Sequence, residues 1–327
     1  MGALYVSDAD VRAVLDVRAV VDIVEATFRS AHGRRIVWPQ PRLFRLNLKE
    51  PVRANYHVKA AALLDLGVAG VRVVGYRVFP DGSGTSRDDN MRYVLLHDPS
   101  SGQPLAIVDE HTSYGVRSAA SGVVAAKYLA RAESSVVGLV GAGRLMRAAL
   151  AALATLFPLG EVRVTSRRAE SREAFARSAA TELRETPVVA VETPADACRG
   201  ADVVMSATTA HRNLMFERDF APGAFVCGLG QHEVAPDAFE AFDKVVVDDW
   251  EQVGALGDFQ AMAASGRFDR SKLYAELPEV VAGAVPGRTS PEERILVRTE
   301  GLVTQDIAVA HWLYQRACER GLGTRLP

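Results

Sequence analysis

Residues 134–146 read SSVVGLVGAGRLM, and the order of residue types in this stretch decides the fold. Val136–Val140 is a valine-rich run that leads straight into Gly141-Ala142-Gly143, and Arg144-Leu145-Met146 opens a helical pattern. A strand that turns sharply into a helix needs a glycine at the turn, here Gly141. It needs a second, here Gly143, where the backbone must approach a ligand closely. The helix N-terminus then offers unpaired amides and partial positive charge, which suits a pyrophosphate. Met146 occupies the third small position of the fingerprint, a departure from the pattern. The setting supports the motif all the same, because a second strand, EVRVTS at 161–166, follows the helix. The stretch predicts a Rossmann dinucleotide-binding domain with Gly141, Gly143, Arg144 and Leu145 at the cofactor.

Downstream, a helical segment at 171–184 is followed by VVAV (188–191), ADVVMSAT (201–208), AFVCGLG (224–230) and KVVVDD (244–249). Apolar strands alternating with helical or turn segments predict βαβ units and a buried parallel sheet. At the end of the second strand, NAD-selective domains place an acidic residue against the ribose 2′-hydroxyl. Here Thr165, Ser166, Arg167 and Arg168 stand there, with no carboxylate before Glu170. A hydroxyl and two guanidiniums suit a 2′-phosphate through charge-assisted hydrogen bonds, so NADP(H) is expected in preference to NAD(H). The plain alternative is that these arginines belong to a solvated loop.

Upstream, Ser7 and Asp10 suit a helix cap. Asp16 precedes a stripe of Val17, Val20, Val21, Val24 and Phe28 that ends at Gly33, an amphipathic helix. Short β-like runs then occupy 41–79, PRLFRLNL, RANYHVKAAAL and GVRVVGYRVF, and PDGSGTSRDDN (80–90) reads as a polar turn or loop. YVLLHDPSSGQPLAIVDE (93–110) reads as a hairpin turning at Pro99–Gly102, and a helix rich in small residues runs from Thr112 to about Leu129. The tail 301–322 carries an apolar helical pattern ending at Gly321. These textures place a mixed α+β domain at about 1–130 and the Rossmann domain at about 131–300.

Composition bounds the function classes. Hydrophobic residues are 48%, charged residues 24% and net charge is −2, the profile of a packed globular protein with nothing to draw it to nucleic acid or an anionic membrane. The N-terminus carries acidic residues at 8, 10 and 16 without an apolar signal core, and no run of about 18 apolar residues exists to span a bilayer. Cys198, Cys227 and Cys318 are far apart and odd in number, which reads as buried cytosolic thiols and not a disulfide framework. The histidines are scattered without HxxxH or HExxH spacing, so no metal is expected. A cytoplasmic, soluble enzyme is the reading.

The order of SSGQPLAIVDE, TSYGVRSAAS, GLVGAGRL, ADVVMSATTA, VVVDDWEQ, ELPEVVAGAVPGR and EGLVTQDIAVAHWLYQRACERGLG resembles the ornithine cyclodeaminase/μ-crystallin family along the whole chain. The resemblance implies a Rossmann domain inserted in an α+β substrate and dimerisation domain, the last helix returning to the first domain (1–130 plus 301–327). It implies a homodimer and a small amino-acid-like or imine substrate. Arg42 and Arg117 resemble the arginines that hold the substrate carboxylate, a role that the planar guanidinium fork fits chemically. Thr208 and Leu229 resemble residues beside the nicotinamide.

Two positions depart from the family. Its active-site lysine, in a strand G-x-K-x-V, is Arg72 here, in Gly70-Val71-Arg72-Val73-Val74, and an arginine stays protonated where a lysine can exchange its proton. Its catalytic aspartate falls in a loop that is shorter here, Gly228-Leu229-Gly230-Gln231-His232-Glu233-Val234, and has no counterpart. Lys59 and His57 on a neighbouring β-like segment, and His232 and Glu233 in the shortened loop, are the candidate replacements. Each has a plain alternative: a solvated lysine, a core histidine, a solvated loop histidine and a structural glutamate. The expected activity is an NADP-dependent oxidoreductase at a carbon–nitrogen bond of a carboxylate-bearing substrate. Arg72, Lys59, Glu233 and His232 are the catalytic candidates, and Arg42, Arg117 and His57 the substrate-binding ones. A cyclodeaminase-type ammonia lyase, or a crystallin-like NADPH-binding protein with little catalysis, are the alternatives.

Overall fold

Local signals set the element boundaries. Ser7 and Asp10 form a reciprocal capping box, and the Asp16 carboxylate accepts the Ala19 amide at 2.7 Å, so two helices begin where the caps stand. The computed structural model describes residues 2–48, 54–77, 91–210, 212–254 and 257–327; the 80–90 loop lies outside the described residues. In chain order the first part comprises β1 (Leu4–Val6), α1 (Asp8–Val14), α2 (Val17–His32), β2 (Ile36–Val37) and β3 (Phe44–Leu48). It continues with β4 (Ala54–Leu63), β5 (Val68–Arg77), β6 (Met91–His97), β7 (Pro104–Asp109) and α3 (Ser113–Leu129). Then come β8 (Val136–Val140), α4 (Arg144–Leu153), β9 (Glu161–Thr165), α5 (Ala169–Glu182), β10 (Val188–Ala190), α6 (Pro194–Cys198), β11 (Val203–Ser206) and β12 (Phe225–Gly228). The rest is α7 (Pro236–Ala241), β13 (Lys244–Val247), α8 (Trp250–Val253), α9 (Gly257–Ala264), β14 (Ala275–Glu276), α10 (Leu277–Val281), β15 (Ile295–Arg298), α11 (Val303–Glu319) and β16 (Thr324–Arg325).

The chain divides into two compact units, Met1–Arg117 with Leu302–Pro327, and Ser118–Gly301. The division falls inside α3, whereas the sequence textures put that whole helix with the first domain. The reason is Gly122, where an added Cβ would meet the Met205 and Cys227 side chains at 2.6 and 2.9 Å, so the small-residue half of α3 packs on the second unit's sheet.

The first unit is built on a sheet ordered β16-β1-β7-β6-β5-β4-β2, with β3 also paired to β4. Among the described residues of this sheet only β1–β7 is a parallel pair; the rest are antiparallel, including the β6–β7 hairpin read from its Pro-Ser-Ser-Gly turn. Helix α11 packs on β4–β7 and against α1 and α2. Gly70 admits it: a Cβ there would lie 2.8 Å from Ile307.

The second unit is a wholly parallel sheet ordered β10-β9-β8-β11-β12-β15-β13-β14, a doubly wound arrangement with its switch between β8 and β11. Its central strands are buried on both faces, so β8, β11, β12, β13 and β15 are almost unbroken apolar runs. Phe239, Phe259, Phe268 and Trp250 stack edge-on beside it. Among the described residues no helix is long and apolar enough to cross a membrane. Cys198 and Cys227 are buried as expected of structural thiols, but Cys318 is exposed on the outer side of α11, correcting the sequence reading.

Gly138 fixes the separation of β8 from α6, since an added Cβ would sit 2.3 Å from the Ala197 carbonyl oxygen. Backbone cannot yield as a flexible side chain does, so Gly138→Ala should destabilise the protein by about 1–3 kcal/mol. Urea unfolding checks this; an unchanged midpoint would show that α6 shifts freely.

Candidate active site

The site begins at the β8–α4 turn. Gly141 has φ of 123°, and a Cβ on it would come within 2.4 Å of the Ala207 carbonyl oxygen, so only glycine fits. Its amide donates to the Thr165 carbonyl at 2.9 Å, tying the turn to the end of β9. Gly143 is the α4 N-cap, has no side-chain cap, and has nothing within 4 Å of an added Cβ. Gly143 and Arg144 are exposed and Leu145 half-buried. Uncapped amides facing open space beside a glycine are the arrangement a pyrophosphate needs, so the turn fits the dinucleotide. Met146 is fully buried beneath Gly141, which accounts for the departure in the motif as a packing choice.

At the end of β9 the Ser166 hydroxyl donates to the Arg168 carbonyl at 3.0 Å, and Arg168 Nε donates to the Ser171 hydroxyl in α5 at 3.2 Å. Arg167 is exposed. Arg172, which sequence reasoning passed over, donates to the Ser166 carbonyl at 3.2 Å and adds a third guanidinium to this corner.

The C-terminal ends of β11 and β12 are held together by one carboxylate. Glu233, 1% exposed, accepts the Ser206 hydroxyl at 2.7 Å, the Gly230 amide at 3.1 Å and the Thr208 amide. Burial pushes its carboxyl up, against the downward pull of the bonds from Ser206 and Thr208. Thr208 and Leu229, the expected nicotinamide neighbours, flank this clamp, and the Leu229 amide donates to the Ser206 carbonyl at 2.8 Å. The shortened loop then carries His232 in the left-handed region, φ 61°. Asp258 of α9 accepts both its backbone amide at 2.9 Å and its Nδ1 at 2.8 Å. Arg298 at the end of β15 donates to the Gly228 carbonyl at 2.7 Å and stands 3.9 Å from Asp258. Nothing in the sequence marked Asp258 or Arg298, which lie far from the loop in chain order.

In the first unit, cross-strand register places Lys59 directly opposite Arg72, and Val74 opposite both His57 and Arg92. His57, Lys59, Arg72 and Arg92 therefore share one face of the sheet. Arg72 is 6% exposed and forks onto Glu110, with Nε 2.6 Å from Oε2 and Nη2 2.8 Å from Oε1; Asp306 lies 3.5 Å from its Nε. Burial alone would lower Arg72, but Asp306 and Glu110 more than reverse this and fix its charge. Arg117, equally buried, pairs with Asp306. The Tyr114 ring sits 4.9 Å from the Arg117 guanidinium, 5.3 Å from that of Arg72 and 4.2 Å from that of Arg92. Arg92, Glu110 and Asp306 were missed in the sequence because nothing local distinguishes them from surface charges. Arg42 stacks on Trp38, 4.5 Å from the ring centroid, in the loop before β3. Among the described residues no group of three or more His, Cys, Asp and Glu is placed to hold a metal ion.

Residues 3–321 match the ornithine cyclodeaminase/mu-crystallin family profile. The chain belongs to the ornithine cyclodeaminase/mu-crystallin family. It is 28% identical over 332 residues to an alanine dehydrogenase of Archaeoglobus fulgidus, covering 100% of this chain and 98% of that protein. It superposes on Thermococcus litoralis Δ1-pyrroline-2-carboxylate reductase, solved with NADH and L-proline, with TM-score 0.90 and 25% identity over 99% of this chain and 100% of that one. An archaeal alanine dehydrogenase dimer with bound NAD matches with TM-score 0.89 and 27% identity over 100% of this chain and 99% of that one.

His57 gives a pH signature. Burial, then the charges of Arg45, Lys59, Arg72 and Arg92, lower it from 6.5 to about 4. Between these values the unfolded chain binds the proton that the folded one refuses, so this contribution is fully present above 6.5 and is lost as pH falls toward 4. Unfolding midpoints should climb over that window, and His57→Asn should flatten the climb; parallel curves for the two proteins would contradict the burial.

Proposed function

We propose that this member of the family is an NADP-dependent oxidoreductase that interconverts a carboxylate-bearing imine, ketimine or dehydro-amino acid with the corresponding amine. The observation that carries the reading is the buried cationic face around Tyr114. Arg72, Arg92 and Arg117 stand there at 4.2–5.3 Å from one ring, against Glu110 and Asp306. A planar carboxylate matches the fork that each guanidinium presents. Arg117 and Arg42 are assigned to the carboxylate, Lys59 and neutral His57 to its polar neighbours, and Arg72 to orientation. The bound nicotinamide supplies the hydride chemistry; the chain supplies anchoring and alignment. A ring-closing cyclodeaminase is disfavoured by Arg72, whose charge is fixed by two carboxylates. A cytoplasmic setting fits the three free thiols.

Ser166, Arg167, Arg168 and Arg172 support a 2′-phosphate, in contrast to the NAD(H) named for the relatives above. Arg167→Asp should weaken NADPH binding at least about tenfold and leave NADH within about twofold, read by nucleotide fluorescence titration. Equal losses would remove the 2′-phosphate assignment. With cyclic imino acids, or α-keto acids plus amines, NADPH consumption should match amine formed; ammonia release from a diamino acid without net nicotinamide turnover would overturn the reading.

We also assign self-association to β3. Phe44, Leu46 and Leu48 alternate onto one face and are 53%, 44% and 43% exposed, an apolar strip that water leaves costly on an edge strand. A second copy of the chain is its occupant, in keeping with the dimeric relative. Leu46→Lys should convert a dimer to a monomer in light scattering after gel filtration; a persistent dimer would place the interface elsewhere.

A further inference from the structure

We infer that His232 is the proton-transfer residue of this reaction and that Asp258 is the positioning residue that sets its tautomer. The inference rests on the oxidoreductase reading above. The imidazole stands on the loop that leaves β12, at the carboxyl edge of the parallel sheet where doubly wound folds receive their ligands. It is held from two sides by one carboxylate: Asp258 Oδ2 takes the His232 amide at 2.9 Å and Oδ1 faces Nδ1 at 2.8 Å. Asp258 is buried, while the His232 side chain is 40% exposed. A carboxylate can only accept, so Nδ1 carries a hydrogen and Nε2 is left outward to take or give a proton. The left-handed backbone at His232, φ 61°, is a conformation that a loop residue keeps when surrounding bonds impose it. The charged group against the ring is Asp258 from α9; Arg298 from β15 stands 3.9 Å from that carboxylate, and the next residue of the loop, Glu233, has its oxygens taken by Ser206, Thr208 and Gly230.

In the reductive direction the imine carbon gains the hydride and the C=N π pair becomes the bond from nitrogen to the proton given up by Nε2–H of the imidazolium. The ring ends neutral, still hydrogen-bonded to Asp258 through Nδ1–H, and regains its proton from water. In the oxidative direction the same Nε2 accepts the amine proton.

Asp258→Asn is isosteric but has one acceptor and one donor end. The His232 amide claims the oxygen, the NH2 faces Nδ1, and the ring is driven to the Nε2–H tautomer. Long-range 15N–1H spectra of histidine-labelled protein, assigned with His232→Gln, read this without substrate. The expected result is Nδ1–H for neutral His232 in the wild type and Nε2–H in Asp258→Asn. An Nε2–H wild type overturns the inference whatever the protein catalyses. With an imine that the wild type reduces, His232→Gln and Asp258→Asn should each lower kcat by about 10²-fold or more, with KM and NADPH binding changed less than about threefold. Unaltered kcat in His232→Gln overturns the inference while leaving the oxidoreductase reading in place; a wild type that reduces no such imine fails that reading instead, and the spectra still judge the dyad.

Discussion

The buried Glu233 carboxylate is the constraint on which the second unit's working edge depends. A charge withdrawn from water is tolerated only if its lone pairs are satisfied, and Glu233 meets that condition by accepting from one hydroxyl and two amides on the segments that leave β11 and β12. In doing so it sets the spacing between the ends of β11 and β12, and so the positions of Thr208, Leu229 and the loop that follows. The same bonds explain why Glu233 is poorly suited to carry a proton itself. Losing or gaining one would break part of the clamp, whereas the His232 side chain takes no part in it and its backbone is held by Asp258.

A second buried electrostatic knot governs the first unit. Arg72, Arg92, Arg117, Glu110 and Asp306 are all nearly inaccessible; Arg72 pairs with Glu110 and Asp306, Arg117 with Asp306, and Arg92 lies over the Tyr114 ring, contacts that offset the desolvation cost. Gly70 is part of this arrangement. It lies two residues from Arg72 on the same face and lets α11 approach closely enough for Asp306 to reach the guanidinium. The G-x-R-x-V strand is thus a matched pair, a missing side chain that admits a helix and a long one that meets it.

Much of this was legible because its causes are local. The Gly141–Gly143 turn, the Ser7 and Asp16 caps, the 93–110 hairpin and the alternating apolar runs each carry their signal within a few residues, and the structure has them where the sequence placed them. The misses have the opposite character. β15 is only Ile295–Arg298, entered from charged residues on one side and left through Thr299-Glu300 on the other, too short for a periodic signal, yet it is a central strand between β12 and β13. Asp258 serves a histidine 26 residues earlier, and Asp306 an arginine on another element of the sheet. Such partners are chosen by topology, and a sequence read without the fold presents them as ordinary surface acids.

The substitution at Arg72 has a consequence that reaches beyond its own neighbourhood. A lysine on that strand could both hold charge and exchange a proton, because burial moves an ammonium readily toward neutrality. A guanidinium forked onto Glu110 and flanked by Asp306 keeps its charge through any working pH, so the strand retains only the electrostatic half of the role. Carbon–nitrogen redox chemistry still has one proton to move for each hydride. With Arg72 fixed in charge and Glu233 committed to backbone, a histidine whose second nitrogen is already assigned to a buried carboxylate is the group whose chemistry matches what remains to be done.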